Sequence, residues 1–211
     1  MSSEDDFSQR LTEEISWRLR ELSELVRACS DGSAVRRDTI SRAALPLLYA
    51  HWEGYFVVSA NAYLNFLTTK RLAISMLRDE FWALSVRRKF RPEQIGGEVN
   101  FSKFLMSIRS EPDRSFKRGG FEKINGKSNL NSDVLSYCCG IIGIDVSPFS
   151  GYFSFIDDNL ISKRNFVAHG EALRFDPQNI PIFRDKVVEL MRLCQTQFEN
   201  AAHMRSYMRI P

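Results

Sequence analysis

A chain of 211 residues that is 44% hydrophobic and 12% aromatic suffices for one well-buried domain, 1–211, and excludes both a disordered polymer and a second full domain. Its net charge of +3 is too mild to single out a nucleic-acid partner. Cys29, Cys138, Cys139 and Cys194 contain no CxxC pair and, with only His51, His169 and His203 scattered among them, offer no zinc spacing, so neither metal nor cofactor is expected.

The opening Met1-Ser-Ser-Glu-Asp-Asp6 is acidic where a secretory signal would be basic. The most hydrophobic run, Ala43 to Leu67, carries His51, Glu53, Asn61 and Asn65, which a membrane span rarely holds. A soluble cytoplasmic protein with reduced, buried thiols and no membrane partner is expected.

Ser2 or Ser3 caps a first helix, whose apolar stripe Phe7, Leu11, Ile15, Leu19, Leu22 and Leu25-Val26 reaches about Cys29. Ser30-Asp-Gly-Ser33 breaks it. A second helix is expected from about Asp38 to Leu67, with a kink or restart at Pro46. Leu45, Leu48, Tyr49, Trp52, Phe56, Tyr63 and Phe66 make it the central core helix, with a face able to line a dimer seam. His51 and Glu53 are two apart and face different ways, so they make no local acid–base pair. A structural reading of both stands beside a role at the border of an active cleft. A third helix spans about Ser75 to Lys89.

Residues 90–131 form a turn-rich insertion in which only Phe101 to Arg109 reads as helix. Between Arg87 and Lys127, eleven Lys or Arg face five Asp or Glu. Such a segment can track a phosphate backbone, with Phe101, Phe104, Phe116 and Phe121 stacking on bases. Equally, these phenylalanines can anchor a solvated loop to the core. Gly126-Lys127-Ser128 is not a Walker A motif, because Phe121 stands where its first glycine belongs. Ser132 caps a helix ending near Gly143, and Ser147-Pro148 turns into another from Tyr152. Gly170 stops that helix as its C′ residue. Asp176-Pro177 opens a last helix to about Met208, on which His203 reads as a surface residue. The expected architecture is an all-α bundle of five to seven helices with one irregular basic insertion.

Within Ile161-Ser-Lys-Arg-Asn-Phe-Val-Ala-His-Gly-Glu171 the spacing puts Asn165 and His169 on one helix face, beside the permanent cation Arg164. A proton carrier, a cation and an amide within one turn suit an anionic substrate such as a phosphodiester. The plain alternative is a helix-capping or core histidine. Arg164-Asn-Phe-Val-Ala-His169 resembles the Arg-x(4–6)-His signature of the HEPN superfamily, including its polar residue after the arginine. Leu45-Pro-Leu-Leu-Tyr-Ala-His-Trp-Glu-Gly-Tyr-Phe56, Ser128-Asn-Leu130 and His169-Gly-Glu171 resemble the MAE-type prokaryotic branch of that superfamily.

That resemblance implies a HEPN-like helical bundle and a metal-independent endoribonuclease of toxin or abortive-infection type. It implies a homodimer in which Arg164, Asn165 and His169 cleave RNA to 2′,3′-cyclic phosphate and 5′-hydroxyl ends. Glu171, His51 and Glu53 are the accessory candidates, and Lys163, Lys117, Arg118, Lys123 and Lys127 the candidate RNA contacts. A cognate antitoxin or defence-system partner would accompany it. Some HEPN toxins carry a modifiable tyrosine two residues after the histidine; Glu171 stands there in this chain. Residues i and i+5 lie about 140° apart on an ideal helix. Arg164 and His169 therefore converge only if the helix unwinds at Gly170, or if one subunit's arginine serves the other's histidine. Two other readings remain: a non-catalytic HEPN-like nucleotide- or RNA-binding or scaffold module, and a structural helical dimer or antitoxin in which the motif is a cap.

Overall fold

A computed structural model describes residues 4–87, 98–109, 113–117, 120–126, 129–172 and 175–209. At its centre, α2 (Ala34–Thr69) buries sixteen residues on several faces, with Trp52, Tyr55, Phe56 and Tyr63 fully enclosed. A helix that is apolar all round needs cover on every side. It is covered by α1 (Glu4–Ser30), α7 (Ile180–His203), α6 (Ser162–Ala168) and the π-helical segment Phe155–Ile161 that feeds α6. Each large apolar side chain taken out of water stabilises the bundle by roughly 1.5–3 kcal/mol. Away from this centre, α3 (Asp79–Arg87) packs on α5 (Ser132–Ile141), and α4 (Glu98–Arg109) lies in the insertion. Short 3-10 turns occupy Ile74–Met76, Ser147–Tyr152 and Pro177–Asn179. Among the described residues there is no strand, only the isolated bridges Ala73–Ser115 and Leu77–Met208. The fold is all-α, and no described helix is long and apolar enough to cross a membrane.

On α1 the stripe Phe7, Leu11, Ile15 and Leu22 is buried as its spacing predicts, yet Arg18 is buried in the same seam. Gly54 on α2 makes the room: a Cβ there would meet the Arg18 guanidinium nitrogens at 3.3 and 3.4 Å. Arg18 also pairs with Glu14 at 3.3 Å and lies 4.3 Å over the Trp17 ring. At the far end of α1, Glu4 lies 3.6 Å from His203 at the end of α7.

Several elements depart from expectation. The second helix starts at Ala34 because Ser33 is its N-cap, accepting from the Arg36 N–H at 3.3 Å. It runs through Pro46 without a restart, held by buried Leu45, Leu48 and Tyr49 on either side. An interior proline costs about 3 kcal/mol, which burial of this many neighbours offsets. Asn131, not Ser132, caps α5. The expected single helix from Tyr152 is wound in three modes: 3-10, then π, then α. Its buried residues explain the middle one. Phe155 and Ile156 recur as Leu160 and Ile161, five positions on, and i→i+5 bonding stacks such pairs. Accordingly, the Ser162 N–H bonds to Asp157 O.

In the insertion, Phe116 and Phe121 are 2% and 9% exposed and stacked at 5.0 Å, with Phe116 edge-on to Phe81. They are anchors and are not available for base stacking; Phe101 remains 43% exposed. Side chains of α2 hold the returning chain at successive points. The Asn61 side chain donates to Ile124 O at 2.8 Å and accepts from the Ile124 N–H at 3.1 Å. Further along, the Tyr49 hydroxyl accepts from the Leu130 N–H at 2.7 Å.

Candidate functional site

Between α6 and the π-helical segment lies a depression of about 320 Å³ lined by Asp157, Ile161, Ser162, Asn165, Phe166, His169 and Glu171. Four of these are spaced by fours (157, 161, 165 and 169), so one face of the segment supplies them. The end of α6 is a Schellman cap. Gly170 takes φ +72°, its N–H donates to Val167 O at 3.1 Å, and the Glu171 N–H donates to Phe166 O at 2.9 Å. His169 is the C-cap residue, exposed at the lip of the depression. From α2, Arg42 donates to the Glu171 carbonyl at 2.9 Å and fastens the cap from behind. Val167 faces the opposite side, where it lines a second depression with Val35, Asp38, Thr39, Arg42 and Ala43.

Asn165 and His169 are thus brought together, with Glu171 beside them. Arg164 is not part of this lining. Its guanidinium carbon lies 4.4 Å from the centroid of the Tyr49 ring on α2. Gly170 redirects the chain only after His169, so α6 stays helical between the two motif residues and keeps them on different faces. Tyr49 is 4% exposed. Burial pushes its phenol above the ordinary value, and Arg164 pulls the other way by hydrogen bonding and charge.

The remaining candidates lie elsewhere. His51 is 5% exposed on the α1 side, 3.4 Å from Glu21 and 5.5 Å from the Trp17 ring. Glu53 points to the returning chain, where a Cβ on Gly126 would collide with its carboxylate. The two do face different ways. Lys163 is half-buried on α6, and Lys117 and Lys123 are exposed in the insertion; none of them lines the depression. Arg118 and Lys127 lie outside the described residues.

Asp157 and Ser162 were not anticipated, although Asp157 falls three four-residue steps before His169. The Asp157 carboxylate accepts from Ser132 N–H at 2.8 Å and Ser132 Oγ–H at 2.5 Å, which ties the depression to the start of α5. All four cysteines are free and buried; burial pushes the Cys139 thiol up to about 12. Among the described residues, no three His, Cys, Asp or Glu converge as metal ligands.

No curated protein and no solved structure matches the chain. The RiboL-PSP-HEPN family model matches residues 13–200, a span that holds α2, the π-helical segment and the whole of Arg164–His169, and the chain belongs to that HEPN family.

Proposed function

We propose that the protein is a homodimeric endoribonuclease that works without a metal ion. The observation that carries this reading is the pairing of exposed His169 with Asn165 in an open depression of a HEPN chain. In this mechanism His169 takes the proton of a ribose 2′-hydroxyl and the 2′-oxygen attacks phosphorus. The bond to the 5′-oxygen breaks, and the partner subunit's His169, as imidazolium, protonates that oxygen. The products are a 2′,3′-cyclic phosphate and a 5′-hydroxyl. Asn165 orients the phosphate or the imidazole, and Arg164 stabilises the extra charge on the pentavalent phosphorus. Arg164 does not share a face with His169 of its own chain, so a second copy completes the cleft. Exposed Leu47 on α2 and Phe166 on α6, at 44% and 40%, are apolar surface for that copy to cover.

A ribonuclease of this kind damages the cell that makes it. We therefore place it in the cytoplasm as a toxin or abortive-infection effector held by a cognate antitoxin or defence partner. The second reading, a non-catalytic RNA- or nucleotide-binding or scaffold module, is favoured by one observation: Arg164 lies on Tyr49, as an arginine with a purely structural task would.

The test is cleavage of a mixed RNA pool by purified protein in EDTA, wild type beside His169→Ala. His169 is exposed, so the variant is expected to fold. Wild-type cleavage leaving cyclic-phosphate ends, reduced by at least about 100-fold in the variant, supports the ribonuclease. Equal cleavage by both removes His169 from the chemistry, and no cleavage by either puts the binding module ahead.

A further inference from the structure

We infer that Tyr49 is the positioning residue for Arg164, its ring serving as the bed that holds the guanidinium in place. The inference rests on the ribonuclease reading for its kinetic test alone. The two residues come from α2 and α6, and the guanidinium carbon stands 4.4 Å from the ring centroid, well inside cation–π range. Tyr49 is itself immobile. It is 4% exposed, and its hydroxyl is fixed by the Leu130 N–H at 2.7 Å. The Arg164 Nε is shielded from solvent by this packing. Burial keeps the phenol neutral, and Arg164 acts on its hydroxyl as well as its ring, so the contact is a cation–π contact with an uncharged ring.

An unrestrained arginine has many rotamers and loses that freedom when it is fixed. A charge-stabilising group that must be ordered at each encounter loses much of its effect, whereas a pre-ordered one does not. A buried aromatic ring attracts and pre-orders the guanidinium through its π face, which an aliphatic residue of the same volume cannot do. Glu53, one turn further along α2, contributes a negative charge near the same hydroxyl. The Leu130 contact ties the ring to the chain returning from the insertion.

The experiment compares Tyr49→Phe, Tyr49→Leu, Arg164→Ala and the double variant Tyr49→Leu/Arg164→Ala with wild type, in kinetics on an RNA that the wild type cleaves. Tyr49→Leu is expected to lower kcat by about 10- to 30-fold with KM little changed. Tyr49→Phe, which keeps the ring, costs only a few-fold, and Tyr49→Leu adds no further loss when Arg164 is already alanine. Independent, multiplying losses in the double variant overturn the inference, as does an unchanged kcat in Tyr49→Leu. A second readout needs no activity: the Arg164 Nε–H resonance, identified by its loss in Arg164→Lys, should carry a ring-current shift. Tyr49→Phe keeps that shift and Tyr49→Leu removes it. A resonance that ignores Tyr49→Leu overturns the positioning role even in a folded, inactive protein. An intact ring shift in a protein that cleaves no RNA leaves the positioning role standing and overturns the ribonuclease reading instead.

Discussion

Burial disfavours the charged form of His51, as does neighbouring Arg18, whereas the Glu21 carboxylate at 3.4 Å favours it. Glu21 is half exposed and screened by water, so burial wins and the imidazole titrates below its ordinary 6.5. The sign of the pH effect follows. As pH falls through about 6.5, the unfolded chain takes up a proton that the folded chain refuses. Stability that is complete above this value is therefore lost on acidification, with a slope of at most about 1.4 kcal/mol per pH unit. The urea midpoint should drop between about pH 7.5 and 5.5, and His51→Gln should flatten that drop; an identical pH response in both would exonerate His51. At this scale the sequence is legible where partners are near neighbours. Asn165 and His169 share a face because four residues separate them. The contact of Tyr49 with Arg164 joins positions far apart in the chain, and no local spacing encodes it. Arg18 was hidden for a related reason: its place in an apolar seam depends on the absence of a side chain at Gly54.

At the scale of the element, the motif segment is held by its winding and by its cap. Gly170 could be read directly, since a left-handed residue just past a helix is usually glycine. The π winding before it could not, because Phe155, Ile156, Leu160 and Ile161 are compatible with α spacing until the core chooses which of them must align. A Cβ on Gly170 would meet nothing within 4 Å, so Gly170→Ala brings backbone strain alone, about 1–2 kcal/mol. The expected outcome is a lower urea midpoint by that amount in Gly170→Ala and a smaller loss in Gly170→Asn, which tolerates the left-handed region. Equal midpoints for wild type and Gly170→Ala would mean that the cap frays in solution. Pro46 shows the opposite outcome of the same contest: local chemistry asks for a break, and the packing of α2 against α1 and α7 overrides it.

For the whole molecule, the all-α class and the central helix follow from periodicity, since α2 is apolar on too many faces to lie at a surface. What periodicity does not contain is which helices meet. The proposed dimeric cleft makes a prediction at this level. If two His169 residues share one reaction, a mixed dimer of wild-type and His169→Ala subunits is defective. Adding excess folded His169→Ala protein, with time to exchange subunits, should then suppress wild-type cleavage well beyond simple dilution. Undiminished cleavage would show that each subunit acts alone.

The meeting of Glu4 and His203 at 3.6 Å has a consequence for connectivity. Both groups are at the surface, and the contact itself adds little stability. Its position matters more: the start of α1 and the end of α7 lie side by side, and from there residues 204–209 run on to pair with Met76 and Arg78. A linker from residue 209 back to the start of α1, with a new opening in the exposed turn at Asp31-Gly32, would reorder the helices in sequence while keeping buried Tyr207 in place. α2 would then lead the chain and α1 would close it.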